Sequence, residues 1–201
     1  MSKEKTELPP VSKLHFYLLS SLFASLTAVG AYIKIPLPYV PITLQTFFVI
    51  LGGAFLGPYF GTLSQVIYLA AGLMGAPIFA YGGGPGYILQ PTFGYLLGYP
   101  VAAYIVGVLV QKRNQSIKVK KTTFVHVCVY GFIGVFFILL VGGIVLFFNL
   151  KYLVHKPISF SKLVVSYFLI FIPGDVLKAI FCSVVYLKLL KLGYPVNRRI
   201  S

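Results

Sequence analysis

Apolar residues run through this chain in six long blocks, at 14–33, 42–57, 58–75, 93–110, 123–149 and 163–190, parted by short polar or proline- and glycine-rich stretches. Blocks of about 20 apolar residues have the length that crosses a bilayer as helix. The pattern predicts an all-α fold, a polytopic membrane protein built as a six-transmembrane-helix bundle over 14–190. Polar tails occupy 1–13 and 191–201. The second and third blocks are short and separated only by Gly57-Pro58. Proline cannot continue the preceding helix's hydrogen bonding, and glycine supplies a tight turn. The pair therefore predicts a helical hairpin instead of one long helix.

Composition agrees with the pattern. Hydrophobic residues make up 58% and charged ones 10%, with a mean hydropathy of +0.91. Soluble domains carry nearer a quarter charged residues, so a water-soluble globule is excluded. The formal charge of +14 does not signal nucleic acid, because it arises from near absence of acids: three Asp and Glu against 17 Lys and Arg. The basic residues gather at the ends of apolar blocks, and the basic 111–122 stretch suits anionic lipid at a cytoplasmic surface. Cys128 and Cys182 fall inside predicted spans, which argues against a structural disulfide.

Basic residues also set an orientation. With six spans and an intracellular N-terminus, twelve Lys and Arg lie inside against Lys34, Lys151, Lys156 and Lys162 outside. The positive-inside rule then places both termini in the cytoplasm. The first block is long for a signal peptide and lacks a small-x-small cleavage site.

This topology brings two unusual loops to the outer face. Residues 34–41 read Lys-Ile-Pro-Leu-Pro-Tyr-Val-Pro, whose prolines impose a stiff, extended course. Residues 76–95 carry no charge and are rich in glycine and aromatics. A loop that long is usually functional or disordered, and its aromatic content predicts a lid packed over a site.

The chain's one acidic residue outside the N-terminal tail is Asp175, in Phe171-Ile-Pro-Gly-Asp-Val-Leu-Lys-Ala179. An ionisable group at membrane depth is costly and marks function. Pro173-Gly174 is expected to interrupt the sixth span and leave Asp175 in the first turn of a half-helix, where partial positive charge favours a carboxylate. Lys178 lies on the same helix face and is placed to hold a ligand carboxylate. The alternatives are that the two residues only neutralise each other, or that Asp175 relays protons. Thr43, Gln45, Gln90 and Thr92 are neutral polar groups near the outer loops; they serve an amide-like ligand or satisfy loop backbone. Ala24 and Ala28 have the small-xxx-small spacing of close helix contacts, internal or with a partner.

Other chemistry finds no support. Gly82-Gly83-Gly84-Pro85-Gly86 lacks the Gly-Lys-Ser/Thr ending of a phosphate loop and follows no strand. His15, His126 and His155 have no metal-site spacing. An intramembrane enzyme using Asp175 as acid or base would lack a second convergent catalytic group. The chain is expected to be no enzyme, to need no cofactor or metal, and to hydrolyse no ATP itself.

Taken in order, Pro38-Tyr-Val-Pro-Ile-Thr-Leu-Gln-Thr-Phe47, Leu56-Gly-Pro-Tyr-Phe-Gly61, Gly75-Ala-Pro-Ile-Phe-Ala80, Pro91-Thr-Phe-Gly-Tyr95 and Ile172-Pro-Gly-Asp-Val-Leu-Lys178 resemble the BioY family. These are biotin-binding S components of energy-coupling-factor (ECF) transporters. The resemblance covers roughly residues 14–190. It implies six helices, an outer-face ligand cavity capped by the 34–41 loop, and biotin as transported ligand. As partners it implies a transmembrane coupling protein and two ABC-type ATPases, with Ala24 and Ala28 contacting the coupling protein. Biotin's carboxylate would meet Lys178, while Asp175 would orient Lys178 or accept a ureido N–H. Tyr87, Tyr95 and Phe79 would pack the bicycle, and Gln45, Thr43 or Gln90 would supply neutral hydrogen bonds. Some relatives carry an arginine just after the Gly-Tyr pair, where this chain has Leu96; either Lys178 suffices for the carboxylate here or the cargo differs slightly. The rival reading is a solitary secondary transporter, coupled to protons through Asp175.

Overall fold

In this computed structural model the described residues are 12–37, 40–115, 124–152 and 169–191. Helix α1 (Lys13–Tyr32) leads into a two-stranded antiparallel ribbon, β1 (Lys34–Ile35) with β2 (Ile42–Thr43), in which Lys34 faces Thr43 and Ile35 faces Ile42. Then follow α2 (Gln45–Leu73), a 3-10 turn at Pro85–Leu89, α3 (Phe93–Gln115) and α4 (Phe124–Tyr152). A second 3-10 turn (Leu169–Phe171) runs into α5 (Ile172–Lys191). The 1–11 and 192–201 tails lie outside the described residues.

Among the described residues, five helices, not the expected six, are long and apolar enough to cross a membrane. The blocks at 42–57 and 58–75 form the single element α2, which Gly57 breaks with φ 81° and ψ −176°. The chain doubles back at that point. A methyl group on Gly61 would stand 2.8 Å from Gly53 Cα, whereas eight residues of continuous helix would separate them by about 12 Å. At 1.5 Å per residue the two arms reach only about 18 Å and 24 Å, against a hydrocarbon core of about 30 Å. Hydropathy registers each arm as a short block of its own, whereas in the fold they form one bent element.

Pro173-Gly174 lies in the opening turn of α5, directly after the 3-10 turn at Leu169–Phe171; the start of the expected sixth span, 163–168, lies outside the described residues. The first N–H groups of a helix have no intrahelical acceptor, so proline loses nothing there. Asp175 occupies that first turn, as the sequence predicts.

Helix α2 is the centre of the bundle, packed chiefly against α1 and α3, while α3 also packs on α4. Backbones approach closely where glycine permits it: a methyl on Gly53 would fall 2.5 Å from the Ala103 carbonyl oxygen, and one on Gly107 would fall 2.5 Å from Pro58 N. Buried hydroxyls tie α1 to the returning arm of α2. Ser20 Oγ donates to the Phe60 carbonyl (3.0 Å), and Gln65 Nε2 donates to Thr27 Oγ1 (3.3 Å). On the outside of α4, Phe132, Phe136, Leu140, Ile144 and Phe148 recur every four residues and are exposed. Such a ridge has no place in water. It is a lipid-facing surface, and the chain is a multi-pass membrane protein.

Contacts along the helices sort their ends. Phe60 and Pro58, at the α2 elbow, touch Ser20 and Gly107, and Asn114 Nδ2 donates to Tyr186 Oη (3.2 Å). At the opposite end, Asn149 Nδ2 donates to the Leu89 carbonyl (2.7 Å), and Thr46 Oγ1 lies 3.5 Å from Asp175 Oδ1. Lys13, Lys112, Arg113, Lys188 and Lys191 therefore share one end, and Lys34, Lys151 and Lys178 share the other. The polar loops and Asp175 are at that second end.

Candidate functional site

Where β2, the opening turns of α2, α3 and α5, the 76–92 segment and the middle of α4 converge, they line a cavity. Its walls are mostly apolar, with Val40, Leu96, Ile138, Leu139 and Phe171 among them, and Tyr87, Tyr95 and Tyr99 supply aromatic faces. Its polar groups are Thr43, Gln45, Thr46, Thr92, Asp175 and Lys178.

The charged pair comes from the first two turns of α5. Lys178 Nζ donates to Asp175 Oδ1 at 2.7 Å, with the side chains 11% and 4% exposed. Nearly removed from water, each member needs the other. Lys178 Nζ also donates to Thr46 Oγ1 on α2, at 2.8 Å. Asp175 and Lys178 are the only charged side chains lining the cavity among the described residues.

A second polar system starts at Thr43. Its hydroxyl donates to Gln45 Oε1 (2.9 Å), Gln45 Nε2 donates to Tyr68 Oη (2.6 Å), and Tyr68 donates to the Ile78 carbonyl (3.1 Å). The chain links the end of the first outer loop to the start of the second through buried groups, and each hydrogen bond satisfies a dipole that water cannot reach. Tyr68→Phe would leave both Gln45 Nε2 and the Ile78 carbonyl without this partner. A loss of about 1–3 kcal/mol is expected, read as a lowered melting midpoint in detergent; an unchanged midpoint would show that the link bears no load.

The two loops are tied at the surface as well. Tyr32 donates to the Pro77 carbonyl, and Lys34 Nζ donates to the Ala80 carbonyl while lying 4.6 Å over the Tyr81 ring. Within the 76–92 segment, Gly84 N–H donates to the Gly72 carbonyl (2.7 Å), and Phe79 and Gly82 form a bridge. Thr92 Oγ1 donates to Tyr87 Oη at 3.0 Å. Burial pushes the Tyr87 phenol above its ordinary range, so it stays a neutral hydroxyl.

The structure brings Asp175, Lys178, Gln45, Thr43, Tyr87 and Tyr95 together around the cavity. It does not bring Phe79 or Gln90 to the wall. Phe79 is buried behind Tyr87, ring centroids 4.6 Å apart, and Gln90 is exposed at the end of the 3-10 turn. Ala24 is in the core, packed inward, and Ala28 is half-buried against it. Sequence reasoning missed Thr46, Tyr99, Phe171, Ile138 and Leu139, and Thr92 went unassigned. Tyr99 follows Tyr95 by four residues on one helix face, so periodicity alone would have found it. Ile138 and Leu139 carry no such signal within an unbroken apolar block.

Residues 3–194 match the BioY family. The chain is 41% identical to the probable biotin transporter BioY of Lysinibacillus sphaericus, covering 81% of this chain and 80% of that one. It is 36% identical to the biotin transporter BioY of Thermotoga maritima, covering 86% and 94%. A crystal structure of the S-component for biotin from an ECF-type ABC transporter superposes with a TM-score of 0.73 at 27% identity, over 95% of each chain. By sequence along nearly its whole length, and by a fold that places a polar-footed cavity at one end of the bundle, this chain belongs to the BioY family.

Proposed function

We propose that the chain captures biotin at the outer face of the cytoplasmic membrane and delivers it inward as the S component of an ECF-type transporter. It is a transporter and not an enzyme. The observation that carries the reading is a mostly apolar cavity with one partly buried cation, Lys178, at the helix end opposite the cluster of basic residues. The basic end is the cytoplasmic one by the positive-inside rule, so the tails lie in the cytoplasm and the cavity opens outward. Lys178 meets the biotin carboxylate, Asp175 orients Lys178, and Tyr87 and Tyr95 pack the bicycle. Thr43 and Gln45 supply neutral hydrogen bonds. A coupling protein and two ABC-type ATPases supply the energy.

Equilibrium binding of labelled biotin to the detergent-purified chain tests the cargo. Reconstitution with and without ATPases then tests the module; ATP-independent, pH-driven uptake that Asp175→Asn abolishes would instead establish a solitary transporter. A folded chain that binds no biotin would sink the reading.

The 34–41 loop acts as the lid, closed through Lys34. Lys34→Met removes the hydrogen bond to Ala80 and the contact with Tyr81. Exchange of bound biotin is expected to speed up by about 5-fold, as an exposed clasp worth one charge-assisted hydrogen bond would allow. Dissociation timed by dilution into unlabelled biotin measures this, and an unchanged rate would remove Lys34 from the lid.

A further inference from the structure

We infer that Thr46 is the positioning residue that aims the Lys178 ammonium into the cavity. The inference rests on the biotin reading above. An ammonium carries three N–H donors. One goes to Asp175 Oδ1 at 2.7 Å and one to Thr46 Oγ1 at 2.8 Å. No further partner of Lys178 exists among the described residues, so the third remains for a ligand.

The two protein partners restrain Lys178 differently. Asp175 lies three residues earlier on the same helix, so it moves with Lys178 and fixes only one direction. Thr46 is on α2, the bundle's central element, and lines the same cavity. Two acceptors on two elements define where the third N–H points; one acceptor leaves the ammonium free to rotate about it. The lysine stem is long and flexible, and such side chains swing their heads toward water when nothing holds them. Thr46 Oγ1 also lies 3.5 Å from Asp175 Oδ1. With its proton turned that way, a hydroxyl lone pair is left for Lys178. The three groups thus close a ring across the α2–α5 junction, and the hydroxyl is its one member from outside α5.

Valine has threonine's shape without the hydroxyl, so Thr46→Val deletes the acceptor and little else, while Thr46→Ser keeps it. Labelled biotin binding is to be compared among wild type, both Thr46 variants, Lys178→Met, and Thr46→Val combined with Lys178→Met. Thr46→Val is expected to weaken binding about 10-fold and Thr46→Ser less than about 3-fold, the scale of one hydrogen bond to a charged group. In the Lys178→Met background, Thr46→Val should change binding by less than about 2-fold, since a residue acting through another has nothing left to act on. Additive losses, wild-type binding by Thr46→Val, or equal weakening by serine and valine would each overturn the inference. Wild type that binds no biotin would overturn the proposed cargo and this role with it.

Discussion

Replacing Lys178 with alanine is expected to weaken biotin binding by roughly 30- to 5,000-fold, the equivalent of about 2–5 kcal/mol for truncating one member of a largely buried, hydrogen-bonded charge pair. Two losses combine. The ligand loses its cationic partner, and Asp175, 4% exposed, is left as an uncompensated carboxylate that Thr46 alone cannot satisfy. The second loss falls on the protein itself, so the melting midpoint should fall too. Replacing both members, Asp175→Asn with Lys178→Met, separates the effects. Removing both charges together restores stability more than affinity, because an apolar-compatible pair is tolerated where a lone charge is not. Equilibrium binding and melting curves in one detergent read both quantities. Full affinity in Lys178→Ala would end the assignment of the ligand carboxylate to Lys178.

The largest expected effect on the fold itself comes from Gly107→Val. A first added carbon at Gly107 meets Pro58 N at 2.5 Å and the Gly57 carbonyl carbon at 2.6 Å. Both obstacles are backbone, and they belong to the elbow on which α2 reverses, so neither can rotate aside as a side chain would. Overpacking typically costs about 1–3 kcal/mol, and a β-branched residue here should reach or pass the upper figure. The variant should melt well below wild type or elute as aggregate. Gly86→Ala is the matched control, since nothing lies within 4 Å of its added carbon. Equal melting of the Gly107 variant and wild type would mean that α3 does not cross the elbow this closely.

How much of this was readable beforehand depends on which physical signal each feature sends. Membrane residence and nearly all helix boundaries follow from hydropathy, because transfer into lipid is governed by composition. The reversal at Gly57-Pro58 was legible from two residues with strong backbone preferences. The number of spans was not, because an arm of α2 that stops short of the bilayer has the same composition as one that crosses it. At the site, Asp175 and Lys178 stood out through the cost of burying charge, and Thr43 and Gln45 through their closeness to the outer loops. Thr46 was passed over beside Gln45 because its role depends on α5, more than a hundred residues away. Phe79 and Gln90 were chosen for being in the right loop, yet a loop folded on itself turns some side chains inward behind the wall and others to solvent. The Ala24 and Ala28 spacing does not say which way each residue faces: Ala24 is buried in the core and Ala28 is half-buried.

The segregation of basic residues bears on how far the molecule can move. In the proposed orientation, Lys13, Lys112, Arg113, Lys188 and Lys191 would hold one end of the bundle at a headgroup layer. Carrying a cation to the bilayer centre costs about 2.5–3.5 kcal/mol even by the most lenient scale. Tipping the whole end inward would therefore face a barrier on the order of 15 kcal/mol, far beyond thermal rotation. Under the proposed function, a bundle that presents its cavity to the other side would turn about its basic end, with that end kept at the headgroup layer.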